Sequence, residues 1–314
     1  MSNVLNLNEF PKSQEMYLLV GWRQWADAGS TSSGLPAFLA RQSKARPIGN
    51  LSPDNFYLFQ FPGTHDLVRP VVKFNQGFPE FLETPRNEFF YSGNDQRGVV
   101  YFIGDEPHLN IEMYVAALLQ AAKTLKVKRI IGFGGVYGEL PYDKERMVSS
   151  TYSLSHLKVE LEKMAVTFSD YHGGASIGSF LCRRAGEQGI EYISFYAFVP
   201  AYDFSSVAPV NSTIRIENDY TAWLGVVRRV NYLLKTEFDL TDLERKSEEL
   251  VHTVEEKMNE LDQAAPQLGI KDYLKRLTDE YTETPFDPFT EIWEEKLRRI
   301  IDKLDDPGEG EPDE

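Results

Sequence analysis

The plainest periodicity in the chain lies between Tyr171 and Asp203, in the stretch YHGGASIGSFLCRRAGEQGIEYISFYAFVPAYD. Gly173 and Gly174 permit a turn with positive φ, after which Ile177, Phe180, Leu181 and Ala185 recur at the spacing of a helix with one apolar face. Gly186 and Gly189 bracket its end. Tyr192 to Val199 is β-branched and aromatic without alternation, which predicts a strand covered on both faces and stopped by Pro200. A turn, a helix and a buried strand in that order form the interior of a layered α/β domain.

The same texture recurs upstream. Tyr17 to Trp22 reads as a first strand, followed by RQWADAG and by Ser30, Thr31, Ser32 and Ser33, any of which is able to cap a helix over Leu35 to Arg41. Short apolar runs at Phe56–Phe61, Val68–Val72, Phe89–Tyr91 and Val99–Ile103 predict an antiparallel stretch that feeds a central strand at Val99. Ile111 to Leu125 carries Tyr114, Ala117, Leu118, Ala121 and Leu125 on one helical face. Arg129 to Phe133 reads as another short buried strand, ending among Gly132, Gly134, Gly135 and Gly138; VYGELPYDKERM after it reads as an exposed excursion, and Leu154 to Met164 as a modest helix. Strands alternating with helices imply a mostly parallel sheet with helices on both faces.

After Asp203 the pattern becomes helical and charged. Asp219 to Leu234 begins it; Leu240, Leu243, Leu250, Val254, Met258 and Leu261 then form a narrow apolar stripe, broken at Pro266 and Gly269. Ile270, Tyr273, Leu274, Leu277 and Tyr281 make a third face, and Phe289, Ile292, Trp293, Leu297, Ile300, Ile301 and Leu304 a fourth. The organisation expected is an N-terminal tail over 1–14, an α/β core over 15–236, an acidic helical region over 237–304 and a disordered acidic tail over 305–314.

Charge sharpens this division. The net charge of -15 is confined to the C-terminal quarter: from Glu237 onward there are 25 acids against 10 bases, and the remainder is balanced. A neutral front and an acidic appendage argue against nucleic acid as a partner. The single Cys182 offers neither a disulfide nor a thiolate cluster for zinc, and the scattered histidines lack metal-ligand spacing, so neither metal nor cofactor is expected. The opening residues MSNVLNLNEF lack a basic segment followed by an apolar core, and the longest uncharged run is too short to span a bilayer, so the expected location is the cytoplasm.

Two candidates for chemistry stand out. Gly174-Ala175-Ser176-Ile177-Gly178 matches the G-x-S-x-G elbow of α/β-hydrolases, which would make Ser176 a nucleophile. The alternative is a plain helix entry, and the only downstream histidine, His252, lies in the charged helices. Asp27, at the end of the first strand, is either a site carboxylate or a turn residue that accepts from neighbouring N–H groups. In a parallel sheet the loops after the strand ends converge, so Asp27, Ser30, Gly134, Gly135, Gly173, Gly174, Ser176 and Tyr202 are the residues expected to line a ligand cleft.

Four stretches taken in order, GWRQWADAG at Gly21–Gly29, DNFYLFQ at Asp54–Gln60 with Arg69-Pro70-Val71, YHGGASIG at Tyr171–Gly178 and GIEYISFYAFVPAYD at Gly189–Asp203, resemble the proteasome assembly chaperone 2 family, in particular its actinobacterial branch. The resemblance spans roughly Met16 to Leu261. It implies a three-layer αβα sandwich, phosphorylase- and hydrolase-like in fold, with a C-terminal helical addition. It also implies self-association, as a homo-oligomer such as a trimer, and no particular reaction. Eukaryotic and archaeal members are similar to scaffolds that assemble proteasome α-rings and dock through an apolar C-terminal tail; the ending PGEGEPDE gives no expectation of that docking. The function expected is a non-enzymatic scaffold or assembly chaperone, whose acidic helices either complete the fold or face a protein partner. The alternative is a hydrolase or phosphorylase acting on a small anionic substrate in the strand-end cleft.

Overall fold

Four parallel strands organise the molecule: β2 (Glu15–Arg23), β7 (Arg97–Asp105), β8 (Arg129–Gly138) and β11 (Glu191–Asp203). They run side by side in the order β7-β2-β8-β11 at the centre of a ten-stranded sheet. The computed structural model describes residues 4–60, 69–204 and 213–286. Predicted elements or segments at Phe61, Val68, 289–304 and 305–314 lie outside the described residues.

The margins of the sheet are antiparallel on one side and mixed on the other. β6 (Asn87–Gly93) pairs antiparallel with β7, and β3 (Arg46–Leu51) and β1 (Leu5–Leu7) extend that edge. On the opposite side β9 (Val148–Tyr152) runs antiparallel to β11 and parallel to the short β10 (Thr167–Phe168). β12 (Thr213–Arg215) pairs with the end of β11. β4 (Val71–Asn75) and β5 (Phe78–Glu83) form a separate two-stranded sheet.

Helices cover both faces, so the architecture is a three-layer α/β sandwich. α1 (Gly34–Gln42), α5 (Tyr220–Leu234), α6 (Thr241–Ala264) and α7 (Ile270–Glu280) lie over one apolar cluster, which contains Leu39, Tyr101, Phe195, Trp223, Leu243, Val254 and Ile270. α2 (Ile111–Thr124) and α4 (Ile177–Glu187) cover the other, around Phe102, Tyr114, Leu118, Leu181 and Tyr192. The remaining helix, α3 (Lys158–Leu161), is a single turn. Covered on both faces, the central strands bury successive residues without alternation. Each fully buried phenyl or leucyl group contributes about 1.5–3 kcal/mol.

The acidic helices therefore fold back on their own chain. α6 spends Leu243, Val254 and Met258 on the α5 side of the core, and α7 spends Ile270 there. The segment after α7 is held as well, since the Tyr281 hydroxyl donates to the Glu145 carbonyl at 2.7 Å and Phe286 is buried.

Four expectations need correction. β11 does not stop at Pro200 but runs to Asp203: β9 ends opposite Ala197 and β12 begins opposite Ala201, so the missing proline N–H falls in a gap between partners. β8 continues from Phe133 to Gly138 in register with β11. The excursion after it is not wholly exposed, because Arg146 is 1% exposed and donates to Asp219 at 2.8 Å and to the carbonyls of Pro141, Tyr142 and Lys144. Finally, Phe56 to Gln60 forms turns and coil, while Val71-Val72 enters the separate hairpin and not the sheet.

Candidate functional site

The central strands finish on one edge, at Arg23, Asp105, Gly138 and Asp203. The chain leaves β2 toward α1 on one face and leaves β7 toward α2 on the other, so adjacent parallel strands diverge here, where α/β sheets hold ligands.

That crevice is filled by charges that satisfy one another. Arg23 donates to Asp105 at 2.6 Å and to Glu83, at the base of the β4–β5 hairpin, at 2.5 Å. Asp105, 2% exposed, also accepts from the Arg86 N–H at 2.7 Å. Next to it, Glu106 accepts from the Ile177 N–H, the first of α4, at 2.7 Å and from the Trp25 N–H at 3.2 Å. Burial raises the Glu106 carboxyl above its ordinary value, against these two hydrogen bonds. His108 Nδ1 accepts from the Leu58 N–H, and burial lowers the pKa of the ring. Between Arg23 and Thr31 the backbone has positive φ at Gln24, Ala26, Gly29 and Ser30, with Gln24 at 107°.

The predicted cleft residues divide between the two faces of this edge. On the α5 face, Asp27 bridges to Gly135 and holds the turn that leads into α1: its carboxylate accepts from the N–H groups of Ser32 and Ser33, each at 2.9 Å, and from the Ser33 hydroxyl at 2.7 Å. Burial is the largest influence on Asp27 and raises its pKa. None of the four hydroxyl residues from Ser30 to Ser33 caps α1 through its own side chain; Ser30 Oγ instead donates to the Glu217 carbonyl at 2.7 Å. Gly135 donates its N–H to Ala26, and a Cβ there would stand 2.0 Å from the Ala28 carbonyl. Tyr202 is 1% exposed and donates to the Leu140 carbonyl, so it fills the core and lines no opening.

On the α4 face lie Gly134, Gly173, Gly174 and Ser176. The Tyr196 ring covers Gly134, and the Trp25 ring lies 4.0 Å from where a Cβ of Gly174 would be. Gly173 sits under the Tyr171 hydroxyl. Ser176 is the N-cap of α4, with Oγ accepting from the Ser179 N–H at 3.2 Å and lying near the hydroxyls of Ser179 and Tyr196. Its φ of -71° and ψ of 162° are relaxed extended values, unlike the strained turn that presents a nucleophile. The sheet thus keeps Asp27 and Ser176 on opposite sides, with Glu106 and Trp25 between them.

Sequence reasoning missed Arg23, Asp105 and Glu106. The available signal was the GDEPH run directly after the apolar VVYFI, which places two carboxylates at the end of a buried parallel strand. Among the described residues no group of three His, Cys, Asp or Glu is placed to hold a metal ion. Cys182 is buried, and burial pushes its thiol up to about 11, which leaves it unreactive. No helix among the described residues is long and apolar enough to cross a membrane.

Away from this edge one surface stands out. In the β4–β5 hairpin Val71, Val72, Phe74, Phe78, Phe81 and Leu82 are all between 45% and 72% exposed. Phe59, 65% exposed, stacks under Arg69 just before it.

The model of the PAC2 family matches residues 22–258. Among solved structures, a PAC2 family protein from Streptomyces avermitilis superposes with a TM-score of 0.66 at 21% identity, over 82% of this chain and 99% of that one. A Mycobacterium tuberculosis proteasome-assembly chaperone homologue gives 0.65 at 22% identity, over 77% and 94%. An archaeal proteasome activator from Pyrococcus furiosus gives 0.57 at 18% identity, over 80% and 97%. At these identities the likeness is one of fold, and no curated protein matches the chain significantly. The match of one family model to most of the chain, on a sheet laid out like that of these structures, shows that the chain belongs to the PAC2 family.

Proposed function

We propose that this chain is a non-enzymatic, self-associating scaffold that acts as an assembly chaperone for other protein chains in the cytoplasm. The observation that carries this reading is the β4–β5 arm, whose six large apolar side chains are open to solvent. Monomeric proteins rarely expose a contiguous apolar patch of more than a few hundred Å², and larger ones mark interaction surfaces. Family membership agrees, as do the descriptions of two structural neighbours as a proteasome-assembly chaperone homologue and a proteasome activator. The side chains that would serve an enzyme already hold backbone N–H groups, Asp27 those of Ser32 and Ser33 before α1 and Ser176 that of Ser179 in α4.

The test is cross-linked capture with the full chain in native cytoplasm, beside a turnover panel of esters, phosphates and nucleosides. Recovery of the subunits of one multisubunit assembly, with no turnover, is the expected result. Turnover that disappears in Ser176→Ala or Asp27→Asn would overturn the reading.

A further inference from the structure

Two tyrosines of β11 reach across the neighbouring strand toward the start of α4. Tyr192 and Tyr196 stand in register with Ile130 and Gly134 of β8, and glycine provides the room for their rings. A Cβ on Gly132 would lie 2.1 Å from the Tyr192 hydroxyl, and one on Gly134 would lie 2.3 Å from the Tyr196 ring. The glycine run of β8 thus admits two phenol groups beneath α4.

Their hydroxyls collect at one point. The Tyr192, Tyr196 and Ser176 oxygens lie 3.2, 3.5 and 3.7 Å from where a Cβ of Gly178 would be. Tyr196 and Ser176 also meet the Ser179 hydroxyl, at 3.3 and 3.1 Å. Tyr192 differs from these. It is 0% exposed, and its hydroxyl has no hydrogen-bond partner among the described residues. Ser194, two residues along the same face, is taken by Thr151 at 2.5 Å. A buried hydroxyl without a partner is costly to keep, and at a gap beside other hydroxyls it marks the place of a group that completes it. The helix start adds a donor: the Ile177 N–H goes to Glu106 and the Ser179 N–H to Ser176 Oγ, while the Gly178 N–H between them has no intrahelical acceptor.

The surroundings select the chemistry of that group. An anion would meet the Glu106 carboxylate, which already takes the first N–H of α4 at 2.7 Å. A cation would meet the positive end of the α4 dipole. A neutral oxygen suffers neither. On the rim stand two aromatic side chains open to solvent: Trp25, 59% exposed, whose ring lies 4.0 Å from where a Cβ of Gly174 would be, and Tyr171, 70% exposed, whose hydroxyl donates to the Gly174 carbonyl. Hydroxyls and a carboxylate beside exposed aromatic faces suit a molecule with apolar C–H faces and a rim of hydroxyls.

The geometry points to a binding site for a neutral sugar at the start of α4, with one sugar hydroxyl seated among Tyr192, Tyr196 and Ser176 and a C–H face of the ring on Trp25. The seated hydroxyl accepts from Tyr192 and donates to Ser176 or Tyr196, and a second sugar hydroxyl donates to Glu106. This binding goes beyond the scaffold reading and does not depend on it.

The experiment is saturation-transfer difference NMR on the full chain with D-glucose, D-galactose, D-ribose and N-acetyl-D-glucosamine, each at millimolar concentration, with the phosphorus line width of inorganic phosphate as the anion arm. Wild type is compared with Tyr192→Phe, Gly178→Ala and the control Val159→Ala on α3. The expected result is wild-type transfer to at least one sugar, an affinity about three- to tenfold weaker in Tyr192→Phe, loss in Gly178→Ala, whose methyl fills the gap, and no change in the control. Tyr192→Phe removes an unpartnered hydroxyl and Gly178→Ala adds a better helix former, so neither should melt below wild type, which separates lost binding from lost fold. Sugar binding that both variants leave at wild-type strength overturns the inference, as does the absence of transfer to every sugar. Phosphate broadening that Gly178→Ala abolishes, without sugar transfer, also overturns it and assigns the helix start to an anion.

Discussion

Two strands of nearly the same composition have opposite fates in this molecule. Val99-Val100-Tyr101-Phe102 in β7 is buried residue by residue, whereas Val71-Val72-Lys73-Phe74 in β4 is exposed residue by residue. Both are strands, as β-branched and aromatic runs favour. What differs is the company. β7 lies between β2 and β6, with α1 against one face and α2 against the other, while β4 has only β5. An apolar run therefore specifies extended backbone, and the topology decides whether it becomes core or stays exposed.

The largest effects should separate the two strands. Phe102→Ala, at a fully buried position, is expected to cost about 3–5 kcal/mol by urea denaturation. Phe74→Ala, at a position 59% exposed, should stay within about 0.5 kcal/mol of wild type. Equal losses would mean that the arm is part of the core.

An intermediate effect lies at the joint between the regions. Arg23 pairs with buried Asp105 on one side and with half-exposed Glu83 on the other. Arg23→Met leaves a buried carboxylate underpartnered and is expected to cost about 2 kcal/mol, less than a fully buried pair because Arg23 itself is 41% exposed. Glu83→Gln should cost about 0.5 kcal/mol or less, yet raise hydrogen exchange in β4 and β5. Unchanged exchange would show that the tether does not hold the arm.

The smallest effect is a difference in the sign of pH dependence. Arg23 holds Glu83 below its ordinary 4.5, so its contribution is present above that pH and is lost as pH falls through the lowered value. Burial holds Glu106 above 4.5, so its contribution is present below that pH and is lost as pH rises through the raised value. Stability relative to Glu83→Gln should accordingly fall on acidification, and stability relative to Glu106→Gln should rise. Slopes of the same sign would break the distinction between a tethered surface carboxylate and a buried one.

Much of the layered core was legible from local pattern. The helices over 111–125 and 177–187 and the strands at Tyr17, Val99, Arg129 and Tyr192 follow from unbroken apolar runs and helical spacing, and the structure contains each of them. The strand ends were less legible. Pro200 and the glycines of β8 are breakers in isolation, but parallel pairing with a neighbouring strand carries the backbone through them. Within the candidate site the elements were readable and the grouping was not. Asp27 follows a strand and Ser176 opens a helix, yet the sheet sends them to different faces, while Tyr202 lies within β11 and in the core.

Local sequence settled the alternation of strands and helices, the apolar stripes of the acidic helices and the family, because backbone preference and periodicity act over a few residues. Only the tertiary structure settled three further matters: Asp27 is spent on the turn before α1 and Glu106 on the first N–H of α4, α6 and α7 close over the α5 face, and a valine- and phenylalanine-rich hairpin is left in water. Each depends on which distant surfaces arrive within a few ångströms. Burial, and with it the choice between core and surface, is a property of those neighbours and not of the residue that is buried.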